Sequence, residues 1–149
     1  MVTSELISHF EFFSGLSPGQ LGAVAGISRE MSAKKGEKLF KEADNATRLY
    51  FLQEGKVSIR IQLSSSPEEV AVAIINQGFG FGWSALVEPY YYTASAECEE
   101  DSRMTAIDGQ KLMQILEAEP QAGFLILKRV AAIISKRLRN SRSALLKTL

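Results

Sequence analysis

Apolar positions change their spacing twice along this chain, and each change marks a change of element. Leu6, Ile7, Phe10 and Phe13 recur at helical intervals, which predicts a short amphipathic helix over residues 4–13. Ser17-Pro18-Gly19-Gln20 then reads as a helix start. The serine caps, the proline suits the first helical position, and the glutamine closes a capping box. Leu21, Val24 and Ala25 give that second helix its buried face. From about Arg29 the interval drops to two. Met31, Ala33, Leu39 and Phe40 flank a turn at Lys35-Gly36-Glu37, and Glu42 to Asn45 form another. Leu49 to Leu52 read as a short buried strand, with a hairpin signal at Glu54-Gly55. Val57, Ile59, Ile61 and Leu63 alternate with Ser58, Arg60 and Gln62, a half-buried strand. A solvated loop over 64–69 leads to a returning strand, Val70 to Ile75. Tyr92 to Ala96 and Arg103 to Ile107 read as two more. Short strands with frequent turns predict an antiparallel β jelly roll, a double-stranded β-helix.

The interval lengthens again near the end. Gly109 to Glu117 places Leu112, Ile115 and Leu116 on one side, and Glu119-Pro120 breaks that helix. From Gln121 the pattern predicts a long helix, with Phe124, Leu125, Ile126, Leu127, Val130, Ala131, Ile133, Ile134 and Leu138 spread over too wide an arc for one contact. Such a helix is buried on two sides. One side packs on the roll and the other calls for a partner, so a homodimer through residues 121–145 is expected. The fold class is therefore mainly β, with N-terminal helices over 1–28, a roll over 29–108 and C-terminal helices over 109–149, one domain in all.

Composition narrows the chemistry. Lys+Arg and Asp+Glu balance at 17 each in 149 residues, which favours neither nucleic acid nor an acidic surface as partner. One cysteine, Cys98, excludes an internal disulfide or a four-thiolate metal site. Its acidic neighbours predict an unreactive thiol. One histidine, His9, cannot ligate a barrel metal, and no nucleophile-elbow sequence supports a Ser–His–Asp triad. No enzyme is expected. The N-terminus has no basic leader, and no apolar run reaches membrane-spanning length, which together place the protein in the cytoplasm.

One stretch invites a ligand. Gly78-Phe79-Gly80-Phe81-Gly82 holds three glycines in five positions, followed by the helix-compatible Ser84-Ala85-Leu86. Glycines permit positive φ and close approach of the backbone. A glycine turn that opens a helix presents free N–H groups and a positive dipole end, which suits a phosphate.

Lys35-Gly36-Glu37-Lys38-Leu39-Phe40, Glu42-Ala43-Asp44, Leu49-Tyr50-Phe51-Leu52 and Glu54-Gly55-Lys56-Val57, with the helix order around them, resemble the cyclic nucleotide-binding domain. The resemblance covers nearly the whole chain. It implies that Gly78 to Ala96 is the phosphate-binding cassette and that the ligand residues are Phe81, Gly82, Trp83, Ser84, Ala85, Leu86, Tyr92, Thr93 and Ala94. The family's cassette reads roughly Phe-Gly-Glu-x-Ala-Leu, then Arg before small residues. The Glu accepts from the ribose hydroxyl and the Arg pairs with the cyclic phosphate. Here Trp83 stands for the Glu and Tyr92 for the Arg. Two hydrogen bonds to charged groups are thereby lost, roughly 3–6 kcal/mol or about two to four decades of affinity.

The resemblance thus leaves two readings. In one, the chain is a sensor for a small anion, a cyclic nucleotide or a relative, with Tyr92 offering a neutral O–H and Trp83 stacking on the ligand or filling the pocket. In the other, it binds nothing and serves as a dimerisation or docking module. Transcription factors of the family add a helix-turn-helix after this helix, and the chain ends at Leu149 without room for one. Tyr90, Tyr91 and Tyr92 read as loop packing and a pocket wall. The acids Glu97, Glu99, Glu100 and Asp101 read as a solvated strand end. The basic residues after Glu119 read as the outer face of the dimer helix.

Overall fold

A computed structural model describes residues 1–64 and 66–148. Ser65, in the loop expected at 64–69, and Leu149, the last residue of the expected terminal helix, lie outside the described residues. Eight strands form in chain order: β1 (Ser28–Ala33), β2 (Lys38–Phe40), β3 (Arg48–Glu54), β4 (Val57–Gln62), β5 (Glu69–Ile75), β6 (Gly80–Phe81), β7 (Ser95–Cys98) and β8 (Ser102–Asp108). They pair antiparallel in two four-stranded sheets, ordered β1-β8-β3-β6 and β2-β7-β4-β5. The apolar faces of the two sheets enclose Phe40, Tyr50, Leu52, Ile59, Phe81 and Met104, all buried. This is the expected jelly roll.

The N-terminal helix departs from its expected span. Residues 4–13 divide into α1 (Ser4–Ser8) and a 3-10 turn (Glu11–Phe13), with Phe10 extended at ψ 115°. One continuous helix would set Phe10 and Phe12 on opposite sides, about 200° apart at 100° per residue. The break lets Phe10, Phe12 and Phe13 all pack on Phe51, with ring centroids 5.1, 5.3 and 5.1 Å away. α2 (Pro18–Gly26) starts as its sequence predicts: Gln20 N–H donates to Ser17 Oγ, and Ser17 N–H donates to Gln20 Oε1.

The strand expected at 92–96 begins later, at Ser95. Before that point the chain is tied to the turn at 42–45 instead of a sheet: Tyr92 N–H donates to the Asp44 carbonyl and Ala43 N–H donates to the Tyr92 carbonyl. Ladder pairing starts where the chain reaches β4, with Ser95 opposite Arg60. The glycine stretch, expected as a turn, also carries a short edge strand, β6.

Two helices close the chain. α3 (Gly109–Ala118) is capped by Asp108, whose side chain accepts from Lys111 N–H. α4 (Pro120–Thr148) starts at a proline, as suits a first helical turn. On its inner side Ile126 and Val130 are buried with Phe12, Phe13 and Leu116. On its outer side Phe124, Leu127, Ile134 and Leu138 are exposed, Phe124 by 68% and Leu138 by 71%. Both apolar sides that the sequence predicts are present.

Candidate functional site

The turn after β6 is shaped by two glycines that leave no room for a side chain. A Cβ on Gly80 would stand 2.7 Å from Phe51 Cε1 and 2.9 Å from Trp83 Cζ2. Gly82 has φ +85°, left-handed backbone that glycine adopts without strain. It turns the chain into a 3-10 segment, Trp83–Leu86. Ala85 and Leu86 are buried and anchor that segment, Ala85 against Gly109 at the start of α3. Ala85 N–H donates back to the Gly82 carbonyl at 3.2 Å. Among the described residues, none accepts from the main-chain N–H of Trp83 or Ser84. Two donors at this turn are therefore open to another acceptor.

Trp83 turns its ring away from the space a ligand would use. It joins the core under the helices, its centroid 4.9 Å from that of Phe12 and 5.7 Å, edge-on, from that of Phe51. It does not plug the cassette, although Trp83 remains among the residues that line the space there. Among the described residues its buried Nε1–H has no acceptor. The aromatic site at 83 is thus a core position, which explains why a carboxylate would not suit it.

Tyr92 is committed as well. Its ring stacks on Phe40 at 3.7 Å and 9°. Its hydroxyl donates to the Arg48 carbonyl at 2.6 Å and accepts from Arg48 N–H at 3.4 Å. The neutral O–H bond to a ligand that the sequence suggested is therefore spent on the protein's own backbone. Burial first, and the neighbouring Tyr50 second, push this phenol well above the usual tyrosine range. Thr93 is exposed and Ala94 half-buried beside it.

Between these pieces lies an open cavity of about 380 Å³. Gly82, Trp83, Ser84 and Tyr92 to Ala94 wall one part of it. Phe40, Ile59, Ile61 and Val72 of the roll wall another. α4 supplies the rest, with Ile134, Arg137, Leu138 and Ser141. Phe81, Ala85 and Leu86, expected at the site, are buried under it and shape the turn instead of lining the space. No carboxylate is among the described lining residues. The acidic run lies elsewhere, where Glu99, Glu100 and Asp101 pair with Arg60, Lys56 and Lys34. Cys98 is buried, and burial before its acidic neighbours pushes its thiol up.

The basic run on α4 is not one solvated face. Arg129 donates to the carbonyls of Phe12 at 2.7 Å and Ser14 at 2.6 Å, tying the helix to the N-terminal turn. Arg137 reaches the cavity. Sequence reasoning missed the α4 wall altogether. The signal was present in the register: Ile126, Val130, Ile133 and Arg137 recur at steps of four, three and four, which puts a charge on the inner face.

Comparison with known proteins adds four findings. A family model described as the cyclic nucleotide-binding domain matches residues 30–119, ending just before α4. A crystal structure of a Geobacter metallireducens protein described as cyclic nucleotide-binding superposes with a TM-score of 0.79 at 34% identity, over 93% of this chain and 99% of that one. The cyclic AMP receptor protein of Thermus thermophilus is 25% identical over 130 residues, 87% of this chain and 57% of its own length. A Rhodopseudomonas palustris protein described as a potassium channel is 24% identical over 138 residues, 92% of this chain and 32% of its own. The chain thus spans from about a third to less than two thirds of the length of these curated relatives.

Proposed function

The chain belongs to the cyclic nucleotide-binding domain family, and on that footing we propose that it is a non-catalytic, cytoplasmic regulatory module. It binds a small anion in the cavity over Gly82 to Ser84 and Tyr92 to Ala94, and it passes occupancy on through α4. The anion is a cyclic nucleotide or a relative of one, held with altered specificity because Trp83 and Tyr92 stand where the family's cassette carries its ligand-binding acid and arginine.

The observation that carries this reading is the shared wall of the cavity. Ile134 and Leu138 line it, and both also stand exposed on the outer apolar stripe of α4 with Phe124 and Leu127. That stripe is the surface a second copy would cover, forming a homodimer of paired α4 helices. A ligand that packs against Ile134 and Leu138 changes the freedom of the residues the dimer uses. It can shift the population of helix positions only through such a difference in contacts.

Thermal melting with cyclic AMP, cyclic GMP and cyclic dinucleotides tests the sensor. A ligand at ten times its Kd stabilises the fold by about 1.4 kcal/mol and raises Tm by about 3–6 °C in a chain of this size. An unmoved Tm at millimolar levels of all of them rejects nucleotide sensing and leaves the dimer module alone. The second reading, a ligand-free docking module, keeps the α4 stripe in its favour. Its natural consequence, a tryptophan plugging the cassette, is not what the Trp83 ring does.

A further inference from the structure

A cation on the inner face of α4 sits where its charge has no counterpart. Ile126 and Val130 on that face are buried against the helical core, and Ile133 packs beside them. One turn further on, Arg137 is half-buried and lines the cassette cavity. Its neighbours three and four residues away are Ile133, Ile134, Asn140 and Ser141, none of them acidic. Among the described residues no hydrogen bond or ion pair engages its guanidinium. Other arginines show what a satisfied one looks like: Arg129 holds two carbonyls, and Arg60 pairs with Glu99 at 3.2 Å. Burial pushes the Arg137 guanidinium down to about 10. A charge removed from water without a partner is unfavourable, and an anion entering the cavity would relieve that.

We propose that Arg137 is the cation of this ligand site, supplied by α4 in place of the arginine missing at Tyr92, and that the site takes an anion with an apolar body. The inference rests on the reading of the cavity as a ligand site. The anionic group would lie between the Arg137 guanidinium and the open N–H groups of Trp83 and Ser84. Guanidinium and amides suit phosphate or carboxylate oxygens. The body would lie on Ile59, Ile61 and Val72, which offer no partner for ribose hydroxyls. The charge that reads the ligand is then carried by the element that moves, so binding and helix position are linked without a relay. Arg137 lies beyond the segment matched by the family model, which ends at residue 119.

The test uses the full chain with 1-naphthyl phosphate, uncharged 1-naphthol and cyclic AMP as probes, followed by calorimetric titration and melting. The phosphate should bind and raise Tm, and the naphthol should do so at least tenfold more weakly. Arg137→Gln should weaken the phosphate by at least about tenfold, the loss of a charge-assisted contact. Arg137→Lys should restore part of it, and Lys136→Gln, on the exposed side, should leave it unchanged. Binding to Arg137→Gln within twofold of wild type overturns the assignment of the cation while leaving the cavity as a ligand site. Cyclic AMP binding without naphthyl phosphate binding overturns the apolar-body class. Failure of all three probes on the wild-type chain overturns the inference together with the sensor reading beneath it.

Discussion

The Tyr92 hydroxyl donates to the main-chain carbonyl of Arg48 at 2.6 Å, which makes Tyr92 a structural clamp. The bond joins the chain before β7 to the first residue of β3, and the ring above it stacks on Phe40. Tyr92→Phe removes the hydroxyl and leaves the Arg48 carbonyl without that donor. The expected loss is about 1–2 kcal/mol, or a Tm lower by roughly 2–8 °C. Urea unfolding at neutral pH measures it.

The same residue predicts an alkaline signature. Burial holds the phenols of Tyr50 and Tyr92 neutral beyond the usual range. Their folded pKa values are raised, so the unfolded chain gives up these protons first. The stability they contribute is complete below the ordinary tyrosine value of about 10 and falls as pH rises past it. A spectrophotometric titration at the phenolate band should show a late component that Tyr92→Phe reduces. A titration with no late component contradicts the burial of these rings.

Trp83 gives a sharper test of the site. Trp83→Glu should not create nucleotide binding, because the side chain at 83 packs in the core beside Phe12 and Phe51. It should instead bury a carboxylate among aromatic rings and cost about 3 kcal/mol or more. Denaturant unfolding with a cyclic AMP titration checks both halves. A stable variant that gains affinity would contradict the core placement of the side chain at 83.

Much of this was readable before any coordinates. Periods of two and of about 3.6 identified the strands and helices, because one buried face per element forces those repeats. The Ser17-Gln20 capping box depends on local chemistry alone and stands as expected, while Pro120, read as a breaker only, also opens α4. The misreadings share a different cause. The break at Phe10, the late start of β7 and the orientation of Trp83 are decided by partners distant in sequence: Phe51, the turn at 42–45 and the helical core. The α4 wall was missed for the same reason. Only when α4 lies over the roll does the inner register of Arg137 become the rim of a cavity.

Gly80 predicts a purely steric effect. Gly80→Ala would drive a methyl into Phe51 and Trp83, both held in a packed core. Overpacking of this kind costs about 1–3 kcal/mol. Urea unfolding of Gly80→Ala should show that drop, while alanine at the open Gly22 position, where nothing lies within 4 Å, should not.

The outer stripe of α4 predicts the oligomeric state. Light scattering should find a dimer for the wild-type chain at tens of micromolar. Leu127→Lys, placed on the stripe but outside the cavity wall, should give a folded monomer with its cavity intact. A wild-type monomer at high concentration rejects the paired-helix arrangement.

An anion that enters the space between the cassette turn and α4 should touch both elements at once. Resonances of a 15N-labelled chain, followed while cyclic AMP, cyclic GMP or 1-naphthyl phosphate is added, test it most directly. At least one of these anions should shift the amides of Trp83, Ser84 and Thr93 together with the Arg137 side chain and its neighbours from Ile134 to Ser141. Signals from those residues that stay in place with every probe at millimolar concentration would contradict it.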